Sequence, residues 1–143
     1  VINFGVALNM TVTLTDVAKQ LLDGKNFATA ATVNADGSPQ TSVVWVKRDG
    51  DAVLFSTTAG RLKARNLARD PRISISIFDT ANPYTACDIR GTAELIDDPD
   101  KTLPAELSLK YMGGPPPAES AEVKRVIVRV TPTKLTGFAG TTG

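Results

Sequence analysis

Phe55-Ser56-Thr57-Thr58-Ala59-Gly60-Arg61-Leu62-Lys63-Ala64-Arg65-Asn66-Leu67-Ala68-Arg69-Asp70-Pro71-Arg72 reads as a strand end, a hydroxyl-rich turn and a short helix. The helix opens with Arg61 and Lys63, and Asp70-Pro71 stops it, because proline cannot continue a helix. A helix start offers unpaired backbone N–H groups and the positive end of a dipole. Three hydroxyls and two cations beside it make a phosphate cradle, so a phosphorylated small molecule is the expected ligand. A plainer reading stands beside this one. Arg61, Arg65 and Arg69 fall on one helix face, and such stripes are commonly solvated surface. The order strand, Ser-Thr-Thr, Gly, cations, helix favours the cradle.

Working outward, Ile73-Ser74-Ile75-Ser76-Ile77 alternates strictly and is the clearest strand of the chain. Upstream, Thr15-Asp16 caps an amphipathic helix that ends at Gly24. Phe27 to Val33 is a strand, Ala35-Asp36-Gly37-Ser38 a turn, and Thr41 to Lys47 a second strand. Asp49-Gly50 turns into a third, Ala52 to Thr57, which suggests a strand meander. Downstream come a loop at Asp79–Pro83 and a longer strand from Thr85 to Ile96. Pro99 to Met112 is helical, with a break expected at Pro104. Gly113-Gly114-Pro115-Pro116-Pro117 is an irregular connector. Val123 to Val130 and Leu135 to Phe138 read as two closing strands. The total is about six strands and two or three helices, an antiparallel sheet closed or nearly closed into a barrel. No Rossmann fingerprint or Walker loop is present.

The 143 residues suit one domain with a proper core. Residues 1–14 are taken as an N-terminal extension and 15–143 as the cofactor-binding domain; residues 1–9 precede Met10 and carry none of the functional argument. A formal net charge of +1 gives no broad attraction to nucleic acid or membrane. A nucleic-acid barrel would also need aromatic platforms on a basic groove. No run is long and apolar enough to span a bilayer, and no secretory leader pattern occurs, so a cytoplasmic protein is expected.

The chain has no histidine, which removes Ser-His-Asp and Cys-His catalysis and histidine-ligated zinc or haem. Cys87 is the single cysteine, so no internal disulfide or cysteine cluster forms, and a buried thiol is expected. A bound cofactor with its own reactivity suits this composition.

Phe27-Ala28-Thr29-Ala30-Ala31-Thr32-Val33, Asp36-Gly37-Ser38-Pro39-Gln40 and Val43-Val44-Trp45-Val46 resemble the opening strands of the pyridoxamine 5′-phosphate oxidase-like split β-barrel superfamily. Lys63-Ala64-Arg65-Asn66-Leu67 with Asp70-Pro71-Arg72 resembles its phosphate-binding helix. Arg90 to Leu95 resembles the next strand, and Val128 to Pro132 with Leu135 to Phe138 the closing ones. The block Gly60–Leu67 and the loop Asn82-Pro83-Tyr84 are most similar to the actinobacterial F420-dependent oxidoreductases of this fold.

The resemblance implies a six-stranded antiparallel FMN-binding split barrel and a homodimer with the cofactor between subunits. It implies that Ser56, Thr57, Thr58, Arg61 and Lys63 hold the cofactor phosphate, with Asn66 in support. Backbone groups of Val43, Val44 and Trp45 would lie along the ring, and Asn82 and Tyr84 would approach from the partner chain. The implied activity is that of an F420-dependent reductase, passing a hydride from the reduced deazaflavin to an activated C=C bond of an enone or unsaturated lactone. The alternatives are an FMN-binding oxidoreductase on the same fold and a non-catalytic cofactor carrier.

Two departures matter. Pyridoxamine phosphate oxidases close their substrate site with an Arg and a His near the C-terminus, and this chain has no His. Phe138 stands where the family often carries Trp. Arg65, Arg69, Lys47 and Arg48 could meet a glutamate tail on F420. Trp45 is either a core anchor or a cofactor contact. Tyr84 and Tyr111 are candidate proton donors, and no residue is singled out as catalytic. Asp88 and Glu94 read as surface carboxylates, and no metal site is expected.

Overall fold

The computed structural model describes residues 11–137. Among these residues three short helices, α1 (Asp16–Asp23), α2 (Leu62–Arg69) and α3 (Thr102–Met112), accompany seven strands. The strands are β1 (Ala28–Val33), β2 (Pro39–Val44), β3 (Lys47–Asp49), β4 (Ala52–Thr58), β5 (Arg72–Phe78), β6 (Ala86–Asp97) and β7 (Arg125–Thr136). They form one sheet in the order β2-β1-β5-β6-β7-β4-β3, and every pairing is antiparallel. The mainly β, split-barrel class expected from the sequence holds, with seven strands rather than six.

Local sequence explains most elements. Thr15 caps α1 by accepting the Ala18 N–H, and Ala18, Leu21 and Leu22 bury its apolar face. Gly37, at φ 88°, permits the β1–β2 turn, where Asp36 accepts the Ser38 N–H. β5 alternates buried and exposed along its whole length. Phe55, Ile73, Ile75, Ile77, Cys87, Ile89, Val128 and Val130 form the centre of the core. Leu14 joins that core, and the Val12 N–H donates to the Pro132 carbonyl, so residues 11–14 pack against the sheet. Leu103, Leu107 and Tyr111 of α3 make a second cluster with Trp45, Leu54 and Ile127.

Four expectations change. The first strands are not one meander. β1–β2 and β3–β4 are separate hairpins at opposite sheet edges, joined through Trp45-Val46. The single strand expected over Thr41–Lys47 therefore breaks at Trp45-Val46. The two closing strands are instead one, β7, which runs through Pro132. A register shift at Arg90/Gly91 of β6 sets Pro132 opposite Gly91, where a bulge tolerates a residue that cannot donate. Phe138 lies outside the described residues. Helix α3 is unbroken at Pro104, which sits in its first turn, where the missing N–H has no helical partner to lose. Asp98 caps that helix by accepting the Thr102 and Leu103 N–H groups, both at 3.0 Å.

Among the described residues no helix is long and apolar enough to cross a membrane, and no cluster of His, Cys, Asp or Glu could hold a metal ion.

Candidate functional site

Between the β4–α2 segment, the end of β2 and helix α3 lies a cleft of about 340 Å³. Val43, Val44, Trp45, Ser56, Thr57, Arg61 and Lys63 line it, joined by Pro104, Leu107, Pro116, Pro117 and Arg125. Seven of the expected site residues thus meet in one place.

One end of the cleft is cationic and rich in donors. Lys63 sits in the first turn of α2 yet is only 8 % exposed. It has no carboxylate partner and makes no side-chain hydrogen bond among the described residues. Burial, and after it the Arg61 charge, push its pKa below the usual lysine value. The positive end of the α2 dipole works in the same direction. No side chain caps α2, so its first N–H groups are not satisfied by a cap. The Ser56 and Thr57 hydroxyl oxygens are buried without a hydrogen-bond partner. A buried polar atom without a partner costs about 1–3 kcal/mol. Ser56 and Thr57 both line the cleft beside an unneutralised cation, which fits an anionic group with several acceptor oxygens.

Arg125 also borders the cleft, but its guanidinium pairs with Glu119 at 2.8 Å. Lys101 pairs with the same carboxylate at 3.0 Å. Together these cations hold the Glu119 carboxyl down at about 2. This pins the segment that carries Pro116 and Pro117.

The other end is apolar. Trp45, Leu107 and the three prolines form it, and the Trp45 ring stacks on Tyr111 with centroids 5.2 Å apart. Strand β2 is a sheet edge, so alternate backbone groups along it point away from β1.

Four expected residues lie elsewhere. Thr58 borders a separate depression with Gly60 and Lys124. Asn66 is buried and turned toward β1, donating to Thr32 Oγ1 at 3.0 Å and Asn34 Oδ1 at 2.9 Å. These bonds tie α2 to β1 and the turn that follows it. Asn82 and Tyr84 sit on the β5–β6 loop, away from the cleft of their own chain, with Tyr84 80 % exposed. Asn82 organises that loop by accepting the Tyr84 N–H.

Among the basic residues considered for a glutamate tail, Lys47 pairs with Glu106 and Arg48 with Asp23. Arg69 donates to the Val33 carbonyl. The Arg65 guanidinium alone of these four makes no hydrogen bond or ion pair among the described residues, and it borders a shallow depression with Asp36 and Leu62.

The family described as "Pyridoxamine 5'-phosphate oxidase" matches residues 14–138. The chain belongs to this family. Within solved structures it is similar to one described as an F420 reductase, at 35 % identity and TM-score 0.75, over 82 % of this chain and 94 % of that one. It shares its fold with a conserved hypothetical protein from Mycobacterium tuberculosis, at 24 % identity and TM-score 0.69, over 87 % and 84 % of the two chains. General stress protein 26 from Bacillus anthracis is a further match in fold, at 13 % identity and TM-score 0.65, over 84 % and 89 %.

The residues that sequence reasoning missed are Pro104, Leu107, Pro116, Pro117 and Arg125. The proline run was the one available signal, since a rigid connector after a helix makes a defined wall.

Proposed function

We propose that this family member is an F420-dependent reductase that delivers hydride to the activated C=C bond of a small enone or unsaturated lactone. The observation that carries the reading is Lys63, a buried cation without a carboxylate partner among the described residues, in a cleft also lined by Arg61, Ser56 and Thr57. Similarity to a structure described as an F420 reductase supports the choice of cofactor.

The hydride chemistry is supplied by the bound cofactor. The chain's own residues bind and orient. Ser56, Thr57, Arg61 and Lys63 hold the phosphate through charge-assisted hydrogen bonds, and the first N–H groups of α2 add to them. Thr58 and Asn66 act from behind the cradle by fixing its backbone. The edge of β2 at Val43 and Val44, with Trp45 just beyond its end, faces the ring and keeps water from one side of it. The Arg65 side chain is the cation available for a carboxylate tail. A homodimer would bring Asn82 and Tyr84 of the exposed loop to the second subunit's cleft. We place the protein in the cytoplasm.

Titration with F420 and, separately, with FMN tests this reading through ring absorbance and the fluorescence of Trp45, the single tryptophan. Selective F420 binding followed by oxidation of reduced F420 in the presence of enones supports it. Selective FMN binding moves the protein to the flavin branch. Binding without turnover identifies a carrier, and binding of neither cofactor refutes the cradle.

A further inference from the structure

Helix α3 ends on two side chains that reach across to one residue of the β2–β3 crossover, Val46. Tyr111 is 2 % exposed, and its hydroxyl accepts the Val46 N–H at 3.2 Å while donating to the Asn26 carbonyl at 2.6 Å. Lys110 Nζ donates to the Val46 carbonyl at 2.7 Å and to the Leu22 carbonyl at 2.5 Å. Both backbone groups of Val46 are therefore held by α3 side chains. Val46 is where the chain leaves β2 at one sheet edge and crosses to β3 at the other. The neighbouring Trp45 ring lies nearly parallel to the Tyr111 ring, at an interplanar angle of 9°. Lys110 Nζ also stands 4.9 Å from the centroid of the Tyr111 ring.

This arrangement is unusually committed for a structural lysine. Burial lowers the Lys110 pKa, yet the ammonium is spent on two backbone carbonyls. A crossover of two residues between opposite sheet edges has no ladder partner of its own, so its conformation must come from elsewhere. Here it comes from α3.

We infer that Tyr111 and Lys110 are positioning residues that fix the Trp45-Val46 crossover, and with it the ring-facing wall of the cleft, while leaving the phosphate end untouched. The inference rests on the proposed cofactor site. It assigns Tyr111 a role through Val46 and Trp45, and removes it as a proton donor, because its hydroxyl is buried and engaged on both sides.

Tyr111→Phe keeps the stacked ring and deletes the hydroxyl; Lys110→Met keeps the stem and deletes the charge. Two readouts decide the matter in folded full-length protein. The first is acrylamide quenching of Trp45, which needs no cofactor. The second compares affinity for F420 with affinity for inorganic phosphate, by calorimetry. Each variant is expected to raise Trp45 quenching and to weaken F420 by about tenfold, the equivalent of one buried hydrogen bond, with phosphate affinity unchanged. Unchanged Trp45 quenching in both variants overturns the inference. So does equal weakening of F420 and phosphate, which would mark a general loss of structure. If Tyr111→Phe does not fold, Lys110→Met carries the same test. Failure of the wild-type protein to bind F420 refutes the proposed function alone, since Trp45 quenching still decides whether α3 fixes the crossover.

Discussion

Replacing Lys63 with methionine is expected to weaken the ligand and to strengthen the free fold. Methionine keeps the length and much of the packing of the buried stem, and removes only the charge. In the free protein that charge is opposed three times: by burial, by Arg61, and by the positive end of α2. No carboxylate compensates it among the described residues. Its removal should leave Tm unchanged or raised. Binding moves the other way. A charge-assisted hydrogen bond contributes about 1.5–3 kcal/mol, so Kd for F420 should rise about 10- to 150-fold.

The pH dependence follows from the same shift. Between the lowered folded value and the ordinary value of 10.5, the unfolded chain keeps a proton that the folded chain has released. Stability therefore rises with pH through that window, and the rise is absent from the substituted protein. Cofactor affinity falls over the same range, because the phosphate needs the charged form. Thermal unfolding from pH 7 to 10.5, with and without F420, measures both. A lower Tm in Lys63→Met, or an unchanged Kd, would refute the view of Lys63 as a cation waiting for an anion; a structural lysine gives the first result and a bystander the second.

Thr57→Val replaces an unpartnered buried hydroxyl with a methyl of similar shape; chemical denaturation should show equal or greater stability, and calorimetry weaker cofactor binding. Glu119→Gln should loosen the segment carrying Pro116 and Pro117, seen as faster hydrogen exchange there. In the wild-type protein the Glu119 contribution is complete above the ordinary glutamate value of 4.5 and is lost as pH falls through about 2, and an acid titration should show that loss in the wild type and not in the variant. Gly91→Ala sets a Cβ 2.3 Å from the Thr131 carbonyl oxygen, so β6 and β7 must part at the bulge; urea unfolding should register a loss of about 2–4 kcal/mol. Asn66→Ala leaves Thr32 and Asn34 without their shared donor and should cost about 1–3 kcal/mol in the same assay.

The cationic end of the cleft was legible because one unbroken segment supplies it. Ser56, Thr57, Arg61 and Lys63 lie within eight positions, and β4 followed directly by α2 is what the residue order itself predicts. The strand Ile73–Ile77 and the Thr15 cap were legible for the same local reason. What escaped was decided at a distance. The apolar run Val43–Val46 has no glycine or proline to mark a break. The groups that hold Val46 out of the ladder belong to Tyr111 and Lys110, 65 and 64 residues further on. Likewise β7 runs through Pro132 only because β6 shifts register opposite it, which no reading of β7 alone could reveal. The apolar end of the cleft follows the same logic: Trp45, Pro104, Leu107 and Pro116 come from three separate parts of the chain. The consequence is a division of labour. The cationic end of the cleft, which we propose holds the phosphate, comes from one contiguous segment, whereas its apolar wall is assembled from α3, its proline connector and the β2–β3 crossover. Each of those can vary without touching Lys63, so differences in substrate choice between proteins sharing this cradle should map to α3 and the connector rather than to the β4–α2 segment.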